Sequence, residues 1–228
     1  MKKILLCFAL LVGLNACNQT VSPPDITLGK NYYPLEVGRY VAYNVREIRY
    51  SVNQMPQILT YQLREEVAEV VRNPANQESY RIVRYTRPNG RQNWEAVKYF
   101  LARADQYGVV RTEDNLPLMV LVFPLREDAI WNGNVYNNLG RKTFIMQDIG
   151  KAHRLDNRLY DQTVTVIQSR DSNIVNKDFR TEIFADSIGL IYRRTEQVAY
   201  CQTPACLGKA QIESGNVIEL TVIDFGRR

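Results

Sequence analysis

The chain has 228 residues, of which 45% are hydrophobic and 23% are charged, and it contains four cysteines and one histidine. These values are typical of a globular protein and exclude a disordered or low-complexity chain. A single histidine and so few cysteines leave little material for histidine-based metal sites or for Ser–His and Cys–His catalysis, so we predict no metal and no cofactor.

The N-terminal segment has the pattern of an export signal. Lys2 and Lys3 give it a positive start, and residues 4–14 form an almost unbroken apolar run that is too short to cross a bilayer by itself. The run ends in Leu14-Asn15-Ala16-Cys17, which resembles the lipobox of bacterial lipoproteins. The resemblance implies cleavage before Cys17 and lipidation of its thiol. The alternative is an ordinary secretory signal with a chance cysteine.

Cleavage at this site would leave a body of nearly balanced charge. Without Lys2 and Lys3, 27 basic side chains remain against 24 acidic ones, a net charge of +3 in place of the +5 of the whole chain. We predict no nucleic-acid partner, because such partners require a concentrated cationic face. A lipidated Cys17 would attach the protein to a membrane without a transmembrane helix.

Residues 17–30 are predicted to form a flexible tether, because two adjacent prolines and a glycine occur there without apolar periodicity. In Bacteroidota lipoproteins, acidic residues just after the lipidated cysteine resemble a signal for export to the cell surface. This chain lacks them there, since its first acidic residue after Cys17 is Asp25. The absence of acidic residues directly after Cys17 implies, through this family resemblance, a periplasm-facing position on the outer membrane. The predicted organisation is a signal peptide over 1–16, a tether over 17–30 and one β-rich domain over 31–228.

From residue 31 onward, short runs of β-branched and aromatic residues alternate with polar turn clusters. Pro88-Asn89-Gly90 lies between two such runs and predicts a β-hairpin of residues 78–87 and 94–103. About ten to eleven strands indicate a mainly β protein with a large curved antiparallel sheet, either an open barrel or a sandwich. The other predicted strands cover residues 38–52, 107–112, 116–123, 143–148, 160–168, 180–185, 190–200 and 216–225.

Residues 59–71 fit two kinds of element. Leu59, Leu63, Val67 and Val71 belong to a helical stripe, but they also share one face of an extended strand. We favour a strand because the neighbouring segments are strands with which it could pair directly. One helix packed on the curved sheet is the alternative.

Cys201 and Cys206 predict a disulfide at the tip of a hairpin. With Cys7 in the signal segment and Cys17 lipidated, they are the remaining pair, and thiols in an exported protein meet an oxidising compartment. A zinc site would need two further ligands, and the chain offers only His153.

Arginine is the more informative basic residue, with 21 Arg against 8 Lys. Guanidinium groups bind phosphate and carboxylate through two hydrogen bonds, so an arginine face could bind an anionic glycan, a lipid phosphate or an acidic protein. Arg84 and Arg193 are candidate ligand-binding residues for this reason, as are Trp94 and Trp131 for stacking on a ligand. The alternative is structural: Arg84 and Arg87 would lie on opposite faces of a strand and pair with Glu, and aromatic residues would pack in strands.

Catalytic patterns are weak in this chain. Adjacent acids occur at Glu65-Glu66, Glu113-Asp114 and Glu127-Asp128, but sequence neighbours on a strand point to opposite faces and do not form a facing pair. His153 lies between Lys151 and Arg154 in a predicted polar connection. No nucleophile elbow, P-loop or dinucleotide motif occurs, and we predict no catalytic residue.

Residues 32–43, Tyr-Tyr-Pro-Leu-Glu-Val-Gly-Arg-Tyr-Val-Ala-Tyr, resemble the opening of a group of uncharacterised Bacteroidota lipoproteins. Mature chains of that group start with an aromatic-Pro-Leu-x-x-Gly-x-x-Trp-x-Tyr phrase, and here Tyr40 or Val41 stands where Trp is usual. Two later segments are also similar: residues 123–125 with 131–134, and residues 186–192. The resemblance implies a shared β-rich fold and brings no activity with it.

Two classes of function follow. We favour a non-enzymatic, lipid-anchored lipoprotein of the cell envelope that binds or scaffolds a protein, lipid or glycan partner. The alternative is a carboxylate-based hydrolase of envelope glycans. A continuous apolar cavity would favour lipid carriage, a solid core would favour scaffolding, and two acids converging about 5 to 10 Å apart in a cleft would favour the hydrolase.

Overall fold

The computed structural model describes residues 29–73 and 76–228. The predicted signal peptide, most of the tether, Cys7 and the predicted lipidation site Cys17 lie outside the described residues. A short 3₁₀ turn, Lys30–Tyr32, precedes the strands β1 Arg39–Tyr50, β2 Gln57–Arg72, β3 Glu78–Arg87, β4 Glu95–Ala104, β5 Gly108–Glu113, β6 Leu116–Val122, β7 Ile130–Asn132, β8 Thr143–Leu155, β9 Arg158–Ser172, β10 Asn176–Ala185, β11 Gly189–Tyr200 and β12 Ile212–Arg227.

All twelve strands belong to one antiparallel sheet in the order β6-β5-β4-β3-β2-β1-β12-β11-β10-β9-β8-β7. Each strand pairs with its neighbour in sequence, except that β6 and β7 form the two edges and β12 pairs with β1. The sheet curls until it is nearly closed as a barrel. The predicted mainly β class and curved antiparallel sheet are confirmed, and the form is a single open barrel rather than a sandwich.

The ambiguous residues 59–71 form a strand, as we favoured. They lie within β2, which pairs with β1 on one side and with β3 on the other. The predicted hairpin is also confirmed, because β3 and β4 pair antiparallel around the turn that contains Asn89 and Gly90. Among the described residues, no helix is long and apolar enough to span a membrane.

The structure has one strand more than the upper predicted count. The additional strand, β7, has only three residues. The predicted polar connection around His153 was wrong, because β8 continues to Leu155 and His153 pairs with Tyr160 of β9. Polar side chains occupy this part of the hairpin on both faces, so it lacks the apolar alternation on which the prediction depended.

Two six-stranded meanders make up the sheet, β1–β6 and β7–β12. An aromatic-Pro-Leu step precedes the first strand of each: Tyr33–Leu35 before β1, and Phe123–Leu125 before β7. Tyr33 packs on Phe184 with ring centroids 6.0 Å apart. Leu125 packs so closely on Gly29 that a Cβ there would lie 2.5 Å from its Cγ. The two steps therefore occupy the same end of the barrel.

Residues 29–38 cross that end of the barrel. The Ser187 amide donates to the Asn31 carbonyl at 2.9 Å, and the Gly38 amide donates to the Val67 carbonyl at 2.8 Å. These bonds attach the segment to β2 on one side and to the β10–β11 turn on the other. Residues 29–38 are thus fixed across one end of the barrel by hydrogen bonds to the strand and the turn on its two sides.

The seam between β6 and β7 is closed by the segment Trp131-Asn132-Gly133-Asn134. The Trp131 indole N–H donates to the Met119 carbonyl of β6 at 2.8 Å, and the Met119 amide donates to the Gly133 carbonyl at 2.9 Å. Asn132 Oδ1 accepts from the amides of Asn134 and Lys142 and fixes the loop. These bonds replace the ladder that β6 and β7 do not form.

The Gly133→Ala variant tests this seam. A Cβ at Gly133 would lie 2.5 Å from Cζ of Phe144, a ring with no solvent exposure. We expect the free energy of unfolding to fall by about 1–3 kcal/mol, because overpacking displaces the ring and the seam. Chemical denaturation measures this change. The control is Gly90→Ala, whose Cβ would meet nothing closer than 3.9 Å; equal stability of the two variants would contradict the described closure.

Candidate functional site

The deepest polar group in the barrel is the Glu182 carboxylate of β10, which is 1% exposed. Its Oε1 accepts from Arg111 Nη2 of β5 at 2.9 Å and from Arg193 Nε of β11 at 2.7 Å. Burial alone would raise the pKa of the Glu182 carboxyl, but the two guanidinium groups lower it. The Arg111–Glu182 bond joins the two meanders across the lumen.

A second ion cluster lies on the same inner face, around Arg84 of β3. Arg84 Nη2 lies 2.6 Å from Glu65 Oε1, and Arg84 Nη1 lies 2.6 Å from Glu113 Oε1. Burial works to raise the pKa of Glu113, but Arg84 and a hydrogen bond from Lys98 lower it to about 2. One acid from each of two sequence doublets therefore converges on a single arginine, although neither doublet forms a facing pair by itself.

A small cleft reaches this network from the end that residues 29–38 cross. It has a volume of about 50 Å³ and is lined by Tyr33, Leu35, Tyr43, Glu65, Arg111 and Leu190, among others. Burial raises the pKa of the Tyr33 phenol to about 12, and the Tyr43 hydroxyl donates to the Leu190 carbonyl at 3.0 Å. The cleft can hold water molecules, whereas pockets for drug-sized ligands measure roughly 300–1,000 Å³.

The four residues predicted to bind a ligand do not come together. Arg84 and Arg193 point into the barrel and are held by carboxylates. Trp131 is 8% exposed and closes the seam. Trp94 lies on the outer face, in the connection before β4. Of the four, Trp94 alone belongs to a surface cluster, and the two inward arginines pair with Glu, as the structural alternative predicts.

Around Trp94, arginines and aromatic rings alternate on the outer face of β1–β4. The Arg87 Cζ lies 4.2 Å from the Trp94 ring centroid, and the Arg64 Cζ lies 5.0 Å from it. Arg64 also lies 4.6 Å from the Tyr85 ring and 6.0 Å from the Tyr40 ring. We call this set the arginine–aromatic row: Arg228, Tyr40, Arg64, Tyr85, Trp94 and Arg87.

Strand register explains the row. Arg64 of β2 is paired with Tyr85 of β3, and Tyr85 is paired with Ala96 of β4, close to Trp94. Tyr40 of β1 is paired with Glu66, two residues from Arg64 on the same face of β2. Of the members of the row, the sequence predicted only Trp94 as a ligand-binding residue, because alternation shows which face a residue occupies but not which residue of the next strand lies beside it.

Cys201 and Cys206 form the predicted disulfide, with their Cα atoms 5.8 Å apart. It lies in the loop between β11 and β12. The Cys201 amide, at the start of this loop, donates to the Gln211 carbonyl at 2.8 Å. Within residues 29–73 and 76–228, no group of three His, Cys, Asp or Glu side chains is placed to hold a metal ion.

No protein-family model and no curated protein matches the chain. A solved structure of a protein described as exported, with a YmcC-like fold, from Bacteroides fragilis is 10% identical, with a TM-score of 0.42; the match covers 85% of this chain and 98% of that one. A protein described as a lipoprotein from Parabacteroides distasonis is 12% identical, with a TM-score of 0.39, covering 86% and 98%. Likeness at this level transfers no function to this chain.

The inner ion clusters predict an acid-sensitive fold. The folded-state pKa of Glu113 lies near 2, below its ordinary value of 4.5, so its stabilising contribution is complete above about pH 4.5. As the pH falls from about 4.5 towards 2, the unfolded chain binds a proton that the folded chain does not, and this contribution is lost.

Denaturant unfolding at several pH values measures the effect. The Glu113→Gln variant should lose less stability than the wild type over this interval, because one of the titrating groups is gone. Asp114→Asn is the matched control, since Asp114 is the adjacent acid and its side chain is 82% exposed. If Glu113→Gln and wild type lose stability in parallel, Glu113 does not hold the contacts described.

Proposed function

We propose that the protein is a non-enzymatic lipoprotein of the cell envelope, anchored by lipid at Cys17 and facing the periplasm from the outer membrane. The observation that carries the proposal is the motif Leu14-Asn15-Ala16-Cys17 directly after a signal-like apolar run. The protein binds or scaffolds its partner through the outer surface of the barrel.

The filled interior supports an outer-surface role. Core side chains with no solvent exposure, such as Phe144, Met146 and Val166, pack around the lumen together with the Glu182 network. The cleft that reaches this network has a volume of only about 50 Å³. A lipid carrier needs a continuous apolar chamber, and this interior is occupied by side chains and ion pairs instead.

The state of the carboxyl groups supports a non-enzymatic role. Among the acids of the described residues, Glu113, Glu182 and Glu196 have shifted pKa values, and all three are lowered because basic neighbours outweigh burial. Glycoside hydrolysis needs a carboxylic acid that stays protonated near neutral pH, with a raised pKa. Glu65 and Glu113 converge, but Arg84 stands between them as the partner of both.

The anchor would place one end of the barrel towards the membrane. Gly29 lies twelve positions after Cys17 in the sequence. At roughly 3.4 Å per residue, such a connection reaches at most about 40 Å. Because residues 29–38 cross one end of the barrel, the connection leaves the chain at that end, which would lie within about 40 Å of the anchor.

Metabolic labelling with an alkyne fatty acid tests the anchor. Wild-type protein should carry the label and Cys17→Ser should not, because the thiol of Cys17 takes the diacylglyceryl group. Cys7→Ser is the matched control, since Cys7 lies within the segment removed on cleavage, and it should be labelled like wild type. Label that persists in Cys17→Ser, or is absent from wild type, would refute the proposed lipidation.

A further inference from the structure

Arg64 is the member of the arginine–aromatic row that a purely structural account leaves unexplained. The residue is 4% exposed, although it lies on the outer face of the sheet. Tyr40, Tyr85 and Trp94 surround its guanidinium group. A guanidinium group carries five N–H donors, and donors covered to this degree are normally hydrogen-bonded.

Arg64 forms no hydrogen bond with any described residue. Its Nη2 lies 3.2 Å from Glu66 Oε2, an ion pair by distance, but that oxygen and Arg64 Nε are both buried without a hydrogen-bond partner. Nη1 and Nη2 are not fully buried, so this edge of the guanidinium group retains contact with solvent. Apart from the ion pair between Nη2 and Glu66, the guanidinium donors of Arg64 therefore have no acceptor in the described chain.

The charge around Arg64 is also incompletely balanced. Arg87 donates through Nε to Gln62 Oε1 at 2.7 Å, a neutral partner. Arg228 Nη1 lies 3.9 Å from Glu66, the same carboxylate that neighbours Arg64. Two arginines therefore share one acid and a third has none, and burial together with Arg228 lowers the pKa of Arg64.

We propose that the arginine–aromatic row binds an anionic saccharide, a sugar carrying a phosphate or carboxylate group. The Nη edge of Arg64 takes the oxyanion through two hydrogen bonds, and the guanidinium group of Arg87 adds a second cation. The partly exposed rings of Trp94 and Tyr85 beside this fork receive the apolar face of the sugar ring. A simple cation–π surface would leave the donors of Arg64 without a role.

The size of the row favours a saccharide over a nucleic acid. The row offers one buried fork and two flanking cations, whereas nucleic-acid surfaces present a longer basic track that follows successive phosphates. On the neighbouring outer face, Asn44 and Gln62 are neutral and Glu66 is acidic, and the next cation along β1 is the exposed Arg46. The inference does not depend on lipid anchoring, because it uses described residues alone.

Titration of the full protein, extracted in a detergent without a sugar headgroup, tests the site. The probes are glucose 1-phosphate, glucuronate, inorganic phosphate, glucose and a short oligothymidylate. Calorimetry and tryptophan fluorescence measure the binding of each probe. We expect the two anionic sugars to bind, inorganic phosphate to bind more weakly, and glucose not to bind. Trp94→Phe should remove most of the fluorescence change, because Trp131 is buried at the seam.

The Arg64→Lys variant is the decisive one, because it keeps the charge and removes the planar fork. Its affinity for glucose 1-phosphate should fall about ten-fold. Arg154→Lys, an exposed arginine of β8, is the matched control and should bind like wild type. If thermal unfolding shows that Arg64→Lys does not fold, Arg87→Lys takes its place, with a smaller loss expected.

Four outcomes would overturn the proposal. The first is that neither anionic sugar binds at concentrations up to about 10 mM, which is well above any useful affinity. The second and third are that glucose or inorganic phosphate binds as tightly as the anionic sugars, which would leave the charge or the rings without a role. The fourth is that the oligothymidylate binds more tightly than the anionic sugars. Unchanged affinity in folded Arg64→Lys and Arg87→Lys would show that the probes bind elsewhere.

Discussion

Burial of one carboxylate between two guanidinium groups is the interaction on which the barrel depends. Glu182 is almost fully enclosed, and a charge in such a place is tolerated only where its partners are fixed beside it. Arg111 and Arg193 come from strands in different meanders, so neutralising Glu182 requires the sheet to curl around them. Closure of the sheet and neutralisation of this charge therefore occur together.

Closure around a filled lumen has a consequence for function. The interior of the barrel is taken by core side chains and by the two ion clusters around Glu182 and Arg84. The remaining cleft is suited to water rather than to a ligand chain. The binding role that we propose is therefore assigned to the outer face, where Arg64 Nε of the arginine–aromatic row is buried without a hydrogen-bond acceptor. Inside the barrel, Arg84, Arg111 and Arg193 each donate to a carboxylate, whereas Arg64 on the outer face has one ion pair, with Glu66, and no hydrogen bond.

The sequence predicted the features that depend on local pattern. Alternating residues placed the strands, Asn89 and Gly90 placed the β3–β4 turn, and the spacing of Cys201 and Cys206 placed the disulfide. Alternation also predicted that Arg84 and Arg87 face opposite sides. These inferences need only neighbours along the chain, and each is set by backbone geometry or loop closure.

What the sequence could not predict depends on contacts between distant strands. Strand β7 is three residues long and is defined by its pairing with β8. Three residues are too few to show a hydrophobic periodicity that would predict a strand. Arg111 and Glu182 are 71 positions apart. Arg64 becomes unusual only when register brings Tyr85, Tyr40 and Trp94 around it. Candidate residues could be proposed from composition, but their grouping required the closed sheet.

A double-mutant cycle between Arg111 and Glu182 measures whether this pair holds the two meanders together across the filled lumen. The free energies of unfolding of wild type, Arg111→Met, Glu182→Gln and the double variant are compared. We expect a coupling energy of about 1–3 kcal/mol, because either single change leaves a buried partner incompletely neutralised. Additive single changes would contradict it, since they would mean that the two side chains do not meet inside the barrel.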